Sequence, residues 1–290
     1  MAANYIARWN GTSWSPLGSG LNREVKALTV FDGSLIAGGS FTQAGGITAD
    51  LIARWDGTSW SPLGTGWDNG YVSALAVFDG SLFAAGLIDT LEDPEYDSFE
   101  CIACWNGTSW NSLGEGVDDE VLALTVFDGS LIAGGAFTRA GGVWANYVAR
   151  WDGMSWNPLG AGMSNDVFAL TVFEGSLIAG AGFTLRDGNI TSNVASWDGT
   201  SWNPLAAGTS GHVHALTIFD GNIVAGGEFT RASGVSANHI ARWDGASWRF
   251  LETGTNGTVQ TLTVFDRSLV VGGSFTFAGG MVVNNIARWR

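Results

Sequence analysis

Helical periodicity is the first thing missing from this sequence. Almost no stretch repeats its apolar residues at the 3.6-residue spacing of a helix. Proline is scarce as well, at 5 of 290 residues, beside 43 glycines and 15 tryptophans, which leaves an all-β composition. Lysine is nearly absent, Lys26 being the single copy in a chain of net charge −14. Nucleic acid and anionic membranes both require clustered basic residues, so neither is an expected partner. No apolar run approaches the roughly 18 residues of a bilayer span. The opening "MAANYIARWNG" lacks the basic and apolar regions of a signal peptide. The chain reads as soluble, with its compartment open, an extracellular one without its export signal included.

Cysteine is limited to Cys101 and Cys104 in "CIAC". On a strand, residues three apart point to opposite faces, with α-carbons about 10 Å apart, beyond the roughly 7 Å reach of a disulfide. Two buried thiols are expected, and neither redox chemistry nor zinc.

What the chain does contain is one motif many times over. "IARW" or a close variant ends at Trp9, Trp55, Trp105, Trp151, Trp197, Trp243 and Trp289, at spacings of 46, 50, 46, 46, 46 and 46. The whole chain is therefore a single array. Each period holds four strand-like runs, for example "VKALTVF", "SLIAGGSF", "LIARW" and "TSWSPLG", with Asp-Gly between the first two and the last two. Asp-Gly between alternating runs is a strong hairpin signal, because both turn residues take positive φ. Such a four-stranded meander exposes two apolar faces, and radial stacking covers both in every copy. First strands begin at Val25, Val72, Val121, Val167, Val213 and Val259, which predicts six blades in one domain spanning 1–290.

The runs "SLIAGG", "NIVAGG" and "SLVVGG", followed by paired aromatics around a turn as in "RWDGTSW", resemble the Kelch repeat, with tryptophan where Kelch repeats usually carry tyrosine. The repeats are also similar to those of fungal cell-polarity landmark proteins and large bacterial surface proteins, and are alike enough for recent amplification or engineering. The resemblance covers essentially all of the chain. It implies an all-β, six-bladed β-propeller of four-stranded antiparallel blades, closed by pairing of the N- and C-terminal strands, with the last blade completed by residues 1–18. Its rival, the WD repeat, lacks its Gly-His partner except at Gly211-His212. Closure requires six "IARW" strands and the chain has seven, so either terminal copy fits the last blade; the tighter N-terminal hairpin is favoured on closure entropy, and the other copy is left spare.

In a Kelch-like blade the first strand is innermost, so its flanks ring the channel mouth. The position before the valine holds Glu24, Tyr71, Glu120, Asp166, His212 and Thr258, and the position after it Lys26, Ser73, Leu122, Phe168, His214 and Gln260. This variety on a constant frame marks ten of them as a candidate binding surface: Glu24, Lys26, Tyr71, Ser73, Glu120, Asp166, Phe168, His212, His214 and Gln260. Trp67 and Trp144 add aromatic surface on the same face, and the acidic loop Leu87 to Glu100, with Asp118 and Asp119, favours cations or basic partners. His212 and His214 share a strand face, but without a fixed carboxylate they are a weak metal signal, and no metal or other cofactor is expected. The regular arginine of "IARW" suggests a contact between blades, by ion pair or by stacking on a tryptophan.

Catalysis finds little support. A copper-radical oxidase of the galactose oxidase kind needs two tyrosines and two histidines on one metal, and only Tyr71 of the four tyrosines falls near the channel. "WDGTSW" is one residue short of a sialidase Asp-box, and no nucleophile, base and orienter set is visible. The expectation is a non-catalytic binding or scaffold module, its ligand a protein segment or a glycan; the alternative is a purely structural or engineered propeller. A monomer is expected, with a dimer through a terminal strand as the alternative.

Overall fold

The computed structural model describes residues 3–88, 101–182 and 193–290. The fold is an all-β, six-bladed propeller of antiparallel sheets. Blade one runs Val25–Phe31, Ser34–Gly39, Ile52–Trp55 and Trp60–Pro62 in spatial order, and the next four blades repeat that meander. Contacts group the chain into two compact units. The first holds an N-terminal hairpin, blades one and two and most of blade three; the second holds the remainder of blade three and blades four to six.

The turns follow from their residues. Asp32 and Gly33 take φ of 47° and 69°, the left-handed pair that a two-residue hairpin requires. In the outer turn, Asp56 Oδ1 accepts the backbone N–H of Thr58 and of Ser59, at 2.7 and 2.8 Å. These bonds hold its carboxyl well below the usual carboxylate range. Trp55 and Trp60 then face each other across the strands with ring centroids 5.3 Å apart.

Each fourth-strand tryptophan also ties its blade to the repeat before it. Nε1 of Trp60, Trp110, Trp156, Trp202 and Trp248 donates to the carbonyl oxygen of Leu17, Leu63, Leu113, Leu159 and Leu205, at 2.9 to 3.1 Å. A buried indole N–H costs free energy unless paired, so this bond fixes where successive blades meet. In two of its copies the recurrent arginine bonds within its own blade. Arg54 Nε donates to Ser34 Oγ at 2.8 Å, and Arg288 to Asp266. It braces the inner hairpin because its strand neighbours that hairpin's second strand.

The double glycine has two separate causes. A Cβ on the first glycine would stand 2.7 Å from Val213 at Gly180 and 2.6 Å from Val167 at Gly134, each valine belonging to the next blade. A Cβ on the second, as at Gly39 or Gly227, would collide with the carbonyl of the residue before the first strand's valine. At these four glycines a Cβ has no room, while Ala85 in blade two and Ala181 in blade four show that a methyl is admitted where the surroundings differ.

The termini differ from the sequence expectation. Ile286–Trp289, the C-terminal "IARW", is the third strand of the sixth sheet, a sheet of three strands. The N-terminal copy, Ala7–Trp9, pairs with Trp14–Pro16 in a two-stranded sheet. The C-terminal copy therefore holds the third place that was expected for the N-terminal one, while Ile6 and Leu17 of the N-terminal hairpin are buried in the core of blade one and Trp289 in that of blade six. The longer loop that was expected to disfavour the C-terminal copy is itself structured. Phe277–Ala278 pairs with Met281–Val282, and Asn285 then bonds back to Phe275 and Gly273, delivering the strand to its place.

Candidate functional site at the strand bulges

Within each unit the first strands of successive blades lie against one another, which makes them the innermost strands. Near its start each of five first strands carries a β-bulge. The pairing of Val25 with Gly39 and Ala27 with Gly38 skips Lys26, and the equivalent slips skip Ser73, Phe168, His214 and Gln260. A bulge inserts one residue and re-aims its side chain. The residue opposite the bulge is glycine in blades one, two, five and six and Ala181 in blade four, and the next residue's N–H closes it: Ser40 to Glu24 O, Glu228 to His212 O and Ser274 to Thr258 O, at 3.0, 2.9 and 2.9 Å. One backbone device therefore displays a different side chain in each blade.

In the first unit these side chains satisfy one another. Lys26 Nζ lies 3.8 Å from Glu24 Oε2 and 4.8 Å from the centre of the Tyr71 ring. Ser73 Oγ donates to Glu120 Oε1 at 3.1 Å. Tyr71 donates to Glu120 as well; burial, with the Glu120 charge second, pushes its phenol up to about 12. Asp118 is not available to a cation as the sequence suggested. Both its oxygens are taken by Thr138 and Arg139, bracing the hairpin that follows. Asn22 and Asn256 do the same work in blades one and six.

In the second unit the cluster is aromatic. Phe168 packs on His212 and His214 at centroid distances of 5.7 and 5.2 Å. Glu228 joins them, with Oε1 3.3 Å from His214 Nε2 and Oε2 4.0 Å from His212 Nδ1. Sequence reasoning missed this carboxylate. Its signal was divergence: the residue after the second glycine position is Ser40, Leu87, Ala136, Gly182 and Ser274 in the other copies. Asp166 is half-buried ahead of Val167, and Gln260 is exposed.

The remaining candidates scatter. Trp67 is buried against Trp110 in the core, so it offers no surface. Trp144 is 61% exposed, but it sits on a short hairpin with Arg139 stacked over its ring at 4.2 Å, apart from the bulges. Of the acidic loop, 89–100 lie outside the described residues. Cys101 and Cys104 are free thiols, and burial pushes Cys101 up to about 12.

Three stretches, residues 32–55, 128–151 and 220–243, match the family model described as a domain of unknown function, DUF5122 β-propeller. The repeats are similar to those of the DUF5122 β-propeller family. Each match runs from the inner Asp-Gly turn through the double glycine to the "ARW" strand, which takes in the second and third strands of a blade and leaves out the first strand, where the bulge lies in blades one and five. No curated protein matches the chain. Among solved structures, the extracellular domain of a hybrid two-component system from B. thetaiotaomicron superposes with a TM-score of 0.66 at 11% identity, over 99% of this chain. This chain spans 35% of the length of that domain. The computationally designed Ika8 protein superposes with a TM-score of 0.50 at 16% identity, over 91% of this chain and 95% of its own. At these identities the likeness is one of fold. No helix is long and apolar enough to cross a membrane among the described residues.

Proposed function

We infer that this chain is a non-catalytic binding module in which the residues at and beside the bulges of each unit form a recognition surface for a protein segment or a glycan. One observation carries the reading: the same bulge, on a nearly constant frame, presents unlike side chains blade after blade. Packed strands resist change, whereas displayed positions accept it, which is how many binding scaffolds are organised. Tyr71 in the first unit and Phe168 in the second give each surface an aromatic residue of the kind both ligand classes use. An extracellular setting fits this reading, since the similar B. thetaiotaomicron domain is extracellular.

Replacing Tyr71, Phe168 and His212 together with alanine tests it. The triple variant is expected to melt within a few degrees of the parent and to lose any ligand identified on a glycan or peptide array. Retained binding by the triple variant overturns the assignment.

A further inference from the structure

The cluster on blade five has a chemistry that its sister blades lack. We propose that His212, His214 and Glu228 form a binding site for a divalent transition-metal ion of the zinc class. The site stands whether or not the surrounding face also binds an organic ligand.

The donor set comes first. Two imidazole nitrogens and a carboxylate are the ligands that zinc takes in three-coordinate protein sites with an open fourth position. The three donor groups lie within 4.8 Å of one another. Two ligands bonded to a tetrahedral zinc at about 2.0 to 2.1 Å are themselves about 3.4 Å apart. Glu228 Oε1 lies 3.3 Å from His214 Nε2 and Oε2 4.0 Å from His212 Nδ1, so side-chain rotations that draw the donors together by up to about 1.4 Å would close the set on an ion.

The backbone explains why these groups meet. His212 and His214 flank Val213, whose side chain is fully buried, so both rings turn away from the core. The bulge at His214 shifts the register, and the Glu228 N–H donates to the His212 carbonyl at 2.9 Å, which fixes the base of Glu228 beside the first ring. Phe168 walls the rings from the neighbouring blade. Gly182 completes the cradle, since a Cβ there would stand 2.7 Å from His212 Nε2.

The other blades serve as internal controls. The same three positions hold Glu24, Lys26 and Ser40 in blade one, and Thr258, Gln260 and Ser274 in blade six, neither of which offers such a set. Two of the chain's three histidines occupy the first two positions in the one blade whose third position is acidic. An ion pair alone needs only one of the histidines.

The test uses the untagged full chain, titrated calorimetrically with zinc chloride, with magnesium and calcium chlorides as controls. The expected result is saturable binding of one zinc per chain and a higher Tm in zinc, with no response to the two hard cations, which prefer oxygen-only sites. His214→Gln and Glu228→Ser install the residues that blade six carries at these positions, and each should weaken zinc at least about tenfold. Absence of saturable zinc binding, or equal binding by the parent and both variants, overturns the proposal. A gain-of-function variant guards against misfolding: Thr258→His, Gln260→His and Ser274→Glu should give blade six a second zinc. A folded triple variant that takes no second ion overturns the assignment of these three positions.

Discussion

Positions 226 and 228 lie two residues apart in blade five, yet they belong to different regions of the molecule. At 226 the strand is pressed against the next blade, and blades one, three, four and six all have glycine at the equivalent place. At 228 the chain has just passed the bulge, and the six copies hold five different residues. The comparison separates what builds the propeller from what the propeller displays. The frame glycine repeats because the same contact, with a valine of the next blade, recurs in blades one, three, four and five. Mouth positions vary because the bulge is made by backbone atoms and accepts any side chain.

The most forceful way to break that comparison is to place a side chain where the frame has no room. Gly226→Val drives a branched group into Val259 of the next blade, and overpacking of this kind costs about 3 kcal/mol. For a chain of this size that is a fall in Tm of roughly 6 to 12 °C. Phe168→Ser, a mouth substitution, should stay within about 0.5 kcal/mol of the parent. Thermal melts of the two variants side by side give the answer. Equal losses would mean that the mouth is as structural as the frame.

A smaller frame effect is expected from Trp248→Phe. The ring's bulk is largely kept, but Leu205 O loses the indole donor 3.0 Å away. Leaving that carbonyl unpaired costs about 2 kcal/mol, or roughly 4 to 8 °C in Tm. A melt indistinguishable from the parent would show that apolar packing alone sets the meeting of blades.

The same division between frame and mouth decides how much of the molecule is legible in its sequence. Strand order, tight hairpin turns, tryptophan pairs and blade number follow from local periodicity, and these are frame features repeated along the chain. The two terminal "IARW" copies are not separable in this way, because their placement depends on a hairpin at Phe277–Val282 that carries no turn signal stronger than its neighbours'. Glu228 escapes for a different reason. Its closeness to His212 and His214 is created by a register slip between strands, and a slip leaves no mark in either strand's own alternation. Trp67 is misplaced because exposure and burial of a loop aromatic look alike in sequence.

The smallest effect sharpens the comparison inside the frame itself, at the outer turns. Asp198 accepts bonds from the N–H groups of Thr200 and Ser201 at 2.9 and 2.8 Å, and Asn106 accepts the matching pair in blade two, both at 2.9 Å. An uncharged oxygen therefore does the same geometric work. Asp198→Asn should melt close to the parent at pH 7, since the turn keeps its acceptor. The two differ in acid. Hydrogen bonding from Ser201 and then Thr200 lowers the Asp198 carboxyl from its ordinary value of 3.8. A carboxylate lowered on folding contributes stability that is present above its unfolded value and is lost as pH falls through the folded one. Starting from near-equal melts at pH 7, the parent should thus fall progressively below Asp198→Asn as the pH drops below 4, while the variant, with no proton to bind at this turn, follows a flatter curve. Melts taken from pH 6 down to pH 2 check this, and parallel curves would show that the turn's acceptor, charged or not, is indifferent to folding.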